Sequence, residues 1–290
     1  MPTERHSAVD DAHHPRVTVR LMGGLGNQLF QLAHAVNLAQ LDDAAVDLDL
    51  CWFERPSRVM TPRALEMPLE ALPLPVVSVP RWVWHRGLGA WTGEGHAGRL
   101  APLAARMNRR FEMGYWQSSA SVASARASLE ALIRSVESSR GRIEAASDCV
   151  AVHVRRGDYV SDMRTMRFHG PIDVDTQLTL AKRLADERGI ERVRVFSDAP
   201  EDLRNVIAGI PGVEMDDSTD AWDALLRMSC ARVLIACNSS LSWWAGVYGG
   251  WRSEEGIDVY VPTPWLAEPS ELDRALPLTG WTAYRRPVSR

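Results

Sequence analysis

Cys149-Val-Ala-Val-His-Val-Arg-Arg-Gly-Asp158-Tyr159 is the stretch whose reading decides the fold. Its first six residues, Cys149 to Val154, are an apolar, β-branched run of the kind that forms a buried strand. Polar groups crowd its C-terminal end: His153, Arg155, Arg156 and Asp158, with Gly157 between them. In α/β sheets ligands bind beyond the carboxyl ends of the strands, so a cluster emerging there is placed for chemistry. Successive residues of an extended chain point to opposite sides. One arginine can therefore face a ligand while the other braces the loop through a carboxylate such as Asp158. A surface arginine pair in a polar loop is the plainer reading of the same residues.

Downstream, Arg192 to Ser197 is a second strand pattern, ending in Ser197-Asp198-Ala199-Pro200. Arg232 to Cys237 is a third, followed by Asn238-Ser239-Ser240 and a helical pattern from about Leu241 to Tyr248. Between them lie helical patterns over Asp173–Arg188, Glu201–Ala208 and Asp220–Cys230, and short strands at Val213–Met215 and Ile257–Val261. Upstream, Arg16 to Met22 alternates like a strand and runs into Gly23-Gly24-Leu25-Gly26-Asn27-Gln28. Leu29, Leu32, Ala33, Val36 and Ala39 then fall at helical spacing. Further strands are expected at Ala45–Leu50 and Phe111–Gln117, and a helix over Ser118–Ser138. Strands alternating with helices along the chain predict an α/β fold with parallel sheets. The polar segment Ser139–Asp148 is the best boundary. It separates an N-terminal domain (16–140) from a C-terminal one (141–290), whose last ~20 residues are free to pack back on the first. Residues 1–15 look like a disordered leader, and 52–110, rich in Pro, Trp and Arg, like irregular structure.

Composition narrows the function class. The 290 residues are 46% hydrophobic and 24% charged, values of a globular protein. A net charge of −4 supplies no global attraction to nucleic acid, so basic groups must act locally. Nearly all of them are arginine, Lys182 being the only lysine. The four cysteines, Cys51, Cys149, Cys230 and Cys237, form no Cys-x-x-Cys pair, which argues against structural zinc or a disulfide framework. No run approaches the ~18 apolar residues that span a bilayer. The adjacent pair Asp216-Asp217 reads as solvated.

Two segments could take an anion. Asn238, Ser239 and Ser240 can cap a helix, or can bind phosphate oxygens at its positive end. With a double arginine on a sister strand, pyrophosphate binding is the better reading, because an arginine fork matches phosphate oxygens bidentately. The glycine turn suggests the dinucleotide fingerprint G-x-G-x-x-G, but only Gly24 and Gly26 fit and Leu29 stands in the third place. A nicotinamide-dependent oxidoreductase is thereby disfavoured.

Three stretches together resemble the α-1,2-fucosyltransferase family: Gly23-Gly24-Leu25-Gly26-Asn27-Gln28-Leu29-Phe30-Gln31, His153-Val-Arg155-Arg156-Gly-Asp158-Tyr159, and Asn238-Ser-Ser-Leu-Ser-Trp243-Trp244. They occur in the family's order and span residues 23 to 244. The resemblance implies a GT-B architecture, two Rossmann-like domains facing across a cleft. It implies GDP-β-L-fucose as donor, an oligosaccharide acceptor ending in galactose, and inverting transfer to O2 without cofactor or metal. Within it Arg155 holds the diphosphate, Arg156 and Asp158 shape the pocket, and Ser239 and Ser240 contact phosphate. His153 and Asp223 lie near the nucleoside, and Asn27 reaches across the cleft. Where the family often reads Ser-Asp-Asp this chain has Ser197-Asp198-Ala199, so Asp198 acts alone. The Trp243-Trp244 pair reads as core packing. Asp158, Glu112 and His153 remain open as the general base. A bacterial cytoplasmic enzyme, with room for peripheral membrane contact, is the expected setting. A non-catalytic GDP-sugar-binding module is the competing expectation.

Overall fold

In a computed structural model, residues 16–41, 44–54, 63–85, 90–91, 106, 108–141, 148–157, 162–252 and 254–286 are described. The expected leader, Asp158 and most of the boundary segment lie outside them. Two parallel sheets form the frame, one of five strands and one of six.

The first sheet contains β1 (Arg16–Arg20), β2 (Ala45–Asp49), β3 (Val76–Val77), β4 (Ala90–Trp91) and β5 (Arg109–Met113), in the order β3-β2-β1-β5-β4. The helices of this half are α1 (Leu25–Leu41), α2 (Arg81–His85), α3 (Ser119–Ser124) and α4 (Arg126–Ser139). The predicted helix over 118–138 is thus two helices, broken at Ala125. The predicted strand at 111–117 ends at Met113. Beyond it Trp116 takes φ 44°, a left-handed conformation that costs a bulky side chain energy. Its ring is stacked on His34, 4.0 Å between centroids, and the Gln31 side chain donates to the Gly114 carbonyl. These contacts hold the turn.

The second sheet contains β6 (Cys149–Val154), β7 (Arg192–Ser197), β8 (Val213–Met215), β9 (Val233–Ile235), β10 (Asp258–Thr263) and β11 (Thr282–Arg285), in the order β11-β10-β9-β6-β7-β8. Its helices are α5 (Met163–His169), α6 (Val174–Arg188), α7 (Pro200–Ile207), α8 (Ala221–Met228), α9 (Ser240–Arg252) and α10 (Leu272–Ala275). Every residue of β6 is buried, as a central parallel strand covered on both faces requires. The helix ends follow local chemistry: Asp173 caps α6 by accepting from the Thr176 N–H, and Gly189 closes it in the left-handed conformation. Near the C-terminus β11 pairs in parallel with β10, and Leu278 and Trp281 pack against the core cluster that contains Phe30.

The halves share a core. Phe30 of α1 packs against Trp243 and Trp244 of α9, and all three side chains are buried. The Trp244 indole donates to the Gly26 carbonyl at 2.9 Å, and the Trp222 indole of α8 donates to the Glu66 carbonyl at 2.8 Å. Trp243 and Trp244 therefore pack in the core, as the sequence suggested, and they join the two sheets.

Candidate active site

Because β9, β6 and β7 are neighbours in a parallel sheet, their carboxyl ends bring Asn238–Ser240, His153–Gly157 and Ser197–Asp198 to one edge. The register pairs Val154 with Ser197, so the next residues, Arg155 and Asp198, leave the sheet side by side. An Arg155 Nη1 lies 3.0 Å from Asp198 Oδ2, and the Arg156 backbone N–H donates to Asp198 Oδ1 at 2.9 Å. The brace for the arginine loop is thus Asp198, on the neighbouring strand; Asp158 lies outside the described residues. Arg156 Nε is buried and, among the described residues, has no hydrogen-bond partner. Buried polar groups are normally satisfied, so an anion there would complete this donor. Ser197 accepts from the Ala199 N–H and shapes the turn after β7.

His153 is enclosed in β6, with Nδ1 3.2 Å from the Cys237 thiol. Burial, then the charge of Arg155, lower its pKa from an ordinary 6.5 to about 4, against the opposing pull of Asp198. It is neutral at pH 7, with its ring buried against Cys237. Neutrality of a buried imidazole is linked to stability. The contribution is complete above pH 6.5 and is lost as pH falls through about 4, since only the unfolded chain takes up the proton readily in that window. Each pH unit across the window costs about 1.4 kcal/mol. His153→Gln should therefore flatten the profile of urea stability between these pH values, and equal slopes in both proteins would refute this.

At the end of β9, the Asn238 side chain donates to the His169 carbonyl at 2.8 Å. Arg286, which the sequence did not single out, donates to the His169 and Gly170 carbonyls at 3.0 and 2.8 Å. Asn238 thus anchors α5 through its amide nitrogen. Ser239 Oγ accepts from the Leu241 N–H at 3.3 Å, and Ser240 opens α9, whose positive dipole end faces this edge. The glycine turn of the first sheet arrives here. A Cβ on Gly26 would lie 2.5 Å from the Ser240 carbonyl carbon, so only glycine permits this approach of α1 to α9. Gly23 supplies the positive φ of the turn (78°), while Gly24 has open space around it. The Asn27 side-chain Oδ1 accepts from the Gln117 side-chain amide at 2.9 Å, a contact within its own half.

Two acidic side chains are engaged by arginines. The Asp223 carboxylate, assigned by resemblance to the nucleoside, accepts from Arg227 Nε at 2.9 Å and the Thr219 N–H at 3.1 Å. Asp216, read as solvated, is buried between Arg194 and Arg227, each with a nitrogen 3.6 Å from its Oδ2; burial raises its pKa. Its neighbour Asp217 is the exposed member of the pair. Glu112 is also committed. Burial alone would raise its pKa, but a 2.6 Å hydrogen bond from His34 and the charges of His34 and Arg110 outweigh this and hold it low. Its oxygens face these partners, which weakens it as a general base. Among the described residues, no group of three or more His, Cys, Asp or Glu could hold a metal ion, and no helix is long and apolar enough to cross a membrane.

Comparison with known proteins places the edge in context. The fold matches the crystal structure of POFUT1 in complex with GDP, with a TM-score of 0.51 over 86% of this chain and 98% of that one, at 14% identity. The architecture is accordingly GT-B-like, two parallel α/β sheets whose carboxyl edges meet. In sequence the chain is 29% identical over 126 residues to the O-antigen biosynthesis glycosyltransferase WbnK of Escherichia coli. It is 28% identical over 125 residues to an α-1,2-colitosyltransferase of the same organism. These matches cover 42% and 41% of this chain and only 40% and 42% of those proteins. A family model matches residues 90–284, which hold β6, the arginine loop, Asp198 and α9. From that match the chain belongs to glycosyl transferase family 11.

Proposed function

We propose that the protein transfers L-fucose from GDP-β-L-fucose to O2 of a terminal galactose, with inversion and without a metal. Arg155 carries the reading, as a guanidinium fixed by Asp198 beside the N-terminus of α9. In the reaction the acceptor oxygen forms a bond to the anomeric carbon as the bond from that carbon to the β-phosphate oxygen breaks. The electron pair leaves with GDP, and the hydroxyl proton passes to solvent or a nearby base. Charge grows on the β-phosphate, where Arg155, the unpartnered Arg156 Nε and the end of the α9 dipole can meet it. On this reading the positive groups take the part that a divalent cation plays elsewhere.

A thermal-shift panel of GDP, GDP-fucose, GDP-mannose, UDP-glucose and NAD tests the donor. GDP and GDP-fucose alone should stabilise the protein, by about 2.7 kcal/mol at a hundredfold excess over Kd. Turnover of GDP-fucose with a galactoside should survive EDTA. A response to UDP-glucose in place of GDP, or activity abolished by EDTA and restored by Mn²⁺, would overturn the respective assignment. The α-1,2-colitosyltransferase relative makes a colitosyl donor the natural competitor substrate in the same assay.

A further inference from the structure

We infer that Asp198 is a positioning residue, which orients Arg155 toward the leaving diphosphate and does not itself bind the donor; the inference rests on the GDP-sugar reading above. Both of its oxygens are engaged by one loop. Oδ2 meets Arg155 Nη1 at 3.0 Å, and Oδ1 accepts from the Arg156 backbone N–H at 2.9 Å. The loop also moulds itself to the carboxylate: a Cβ on Gly157 would lie 2.2 Å from Oδ2. Three consecutive residues, Arg155, Arg156 and Gly157, are therefore fitted to one side chain on the adjacent strand.

Electrostatics points the same way. An ionised carboxylate offers only acceptor oxygens, and so do the phosphates of a nucleotide, so direct contact between them is repulsive. What the carboxylate can do is hold in place a guanidinium that in turn meets phosphate oxygens. That arrangement spends part of the arginine's charge on Asp198, and so weakens attraction for bound GDP. In return it fixes the donor geometry that matters as charge develops in the transition state.

The two effects separate in experiment. Asp198→Asn keeps the size of the side chain and removes the negative charge. GDP should bind it as tightly as wild type or more tightly in calorimetry, while kcat with GDP-fucose falls about tenfold to a hundredfold through lost orientation. Gly157→Ala retains every polar group yet displaces the carboxylate, and should lower kcat with GDP affinity kept. In an Asp198→Ala background, where nothing stands 2.2 Å from the new methyl, Gly157→Ala should cost little more. If Asp198→Asn fails to fold, Gly157→Ala alone decides. Weakening of GDP affinity in proportion to kcat would make Asp198 a donor ligand and overturn the inference. So would wild-type kcat in the Asn or the Gly157→Ala variant, or equal losses from Gly157→Ala in both backgrounds. Wild-type protein that binds no GDP would overturn the donor reading itself, and this inference with it.

Discussion

Arg155→Ala is expected to lower kcat with GDP-fucose at least ~100-fold while leaving the folded protein nearly as stable as the parent. The rate effect follows from the proposed role, because a donor aimed at charge that grows during C–O cleavage acts on the transition state more than on bound substrate. It should appear in kcat more than in the KM for donor. The stability effect is small for a local reason. Arg155 and Asp198 are both partly open to solvent, and Asp198 keeps the Arg156 N–H when the guanidinium is gone. Loss of such a pair costs about 1 kcal/mol, a few degrees in Tm. Arg155→Lys should recover only part of the rate, since an ammonium cannot present a planar fork to both a carboxylate and a phosphate. Purified Arg155→Ala that melts normally and turns over like wild type would remove this loop from the mechanism.

Trp244→Ala should have the largest effect on stability. The indole is fully buried, makes ring contacts with Phe30 and Trp243 at 5.2 and 5.3 Å, and satisfies the Gly26 carbonyl across the two halves. Truncation of a buried aromatic of this size costs about 3–5 kcal/mol, on the order of 10 °C in Tm for a chain this long. Trp244→Phe keeps most of the packing and loses the hydrogen bond, for about 1–2 kcal/mol. Urea titrations of the three proteins would rank them. An alanine variant within a degree or two of wild type would show that the halves are held together elsewhere.

Much of the second half was legible because buried parallel strands are short apolar runs with polar flanks. Cys149–Val154, Arg192–Ser197 and Val213–Met215 form strands with the predicted bounds. The side-chain partnerships were not legible, because they depend on register and on distant residues. Asp158 was the carboxylate visible beside the arginines; that Asp198 faces Arg155 follows only once Val154 is known to pair with Ser197. Asp216 read as solvated because its sequence neighbours are polar, whereas its burial comes from Arg194 and Arg227, which lie on β7 and α8. Gly26 suggested a phosphate cradle. The reason no side chain fits there is the backbone of Ser240, more than two hundred residues away in the chain. The aromatic run at 111–117 was read as a strand throughout, and the turn within it depends on the stacking of Trp116 on His34, a contact between α1 and the segment after β5.

The cover that α9 places on Phe30 bears on how the polypeptide is made. Synthesis delivers the first sheet and α1 well before Trp243 and Trp244, so a ribosome-bound chain carries α1 with the face around Phe30 still uncovered. The N-terminal half cannot complete its interior until Trp243 and Trp244 have been synthesised, and the two halves reach their final packing together rather than in turn.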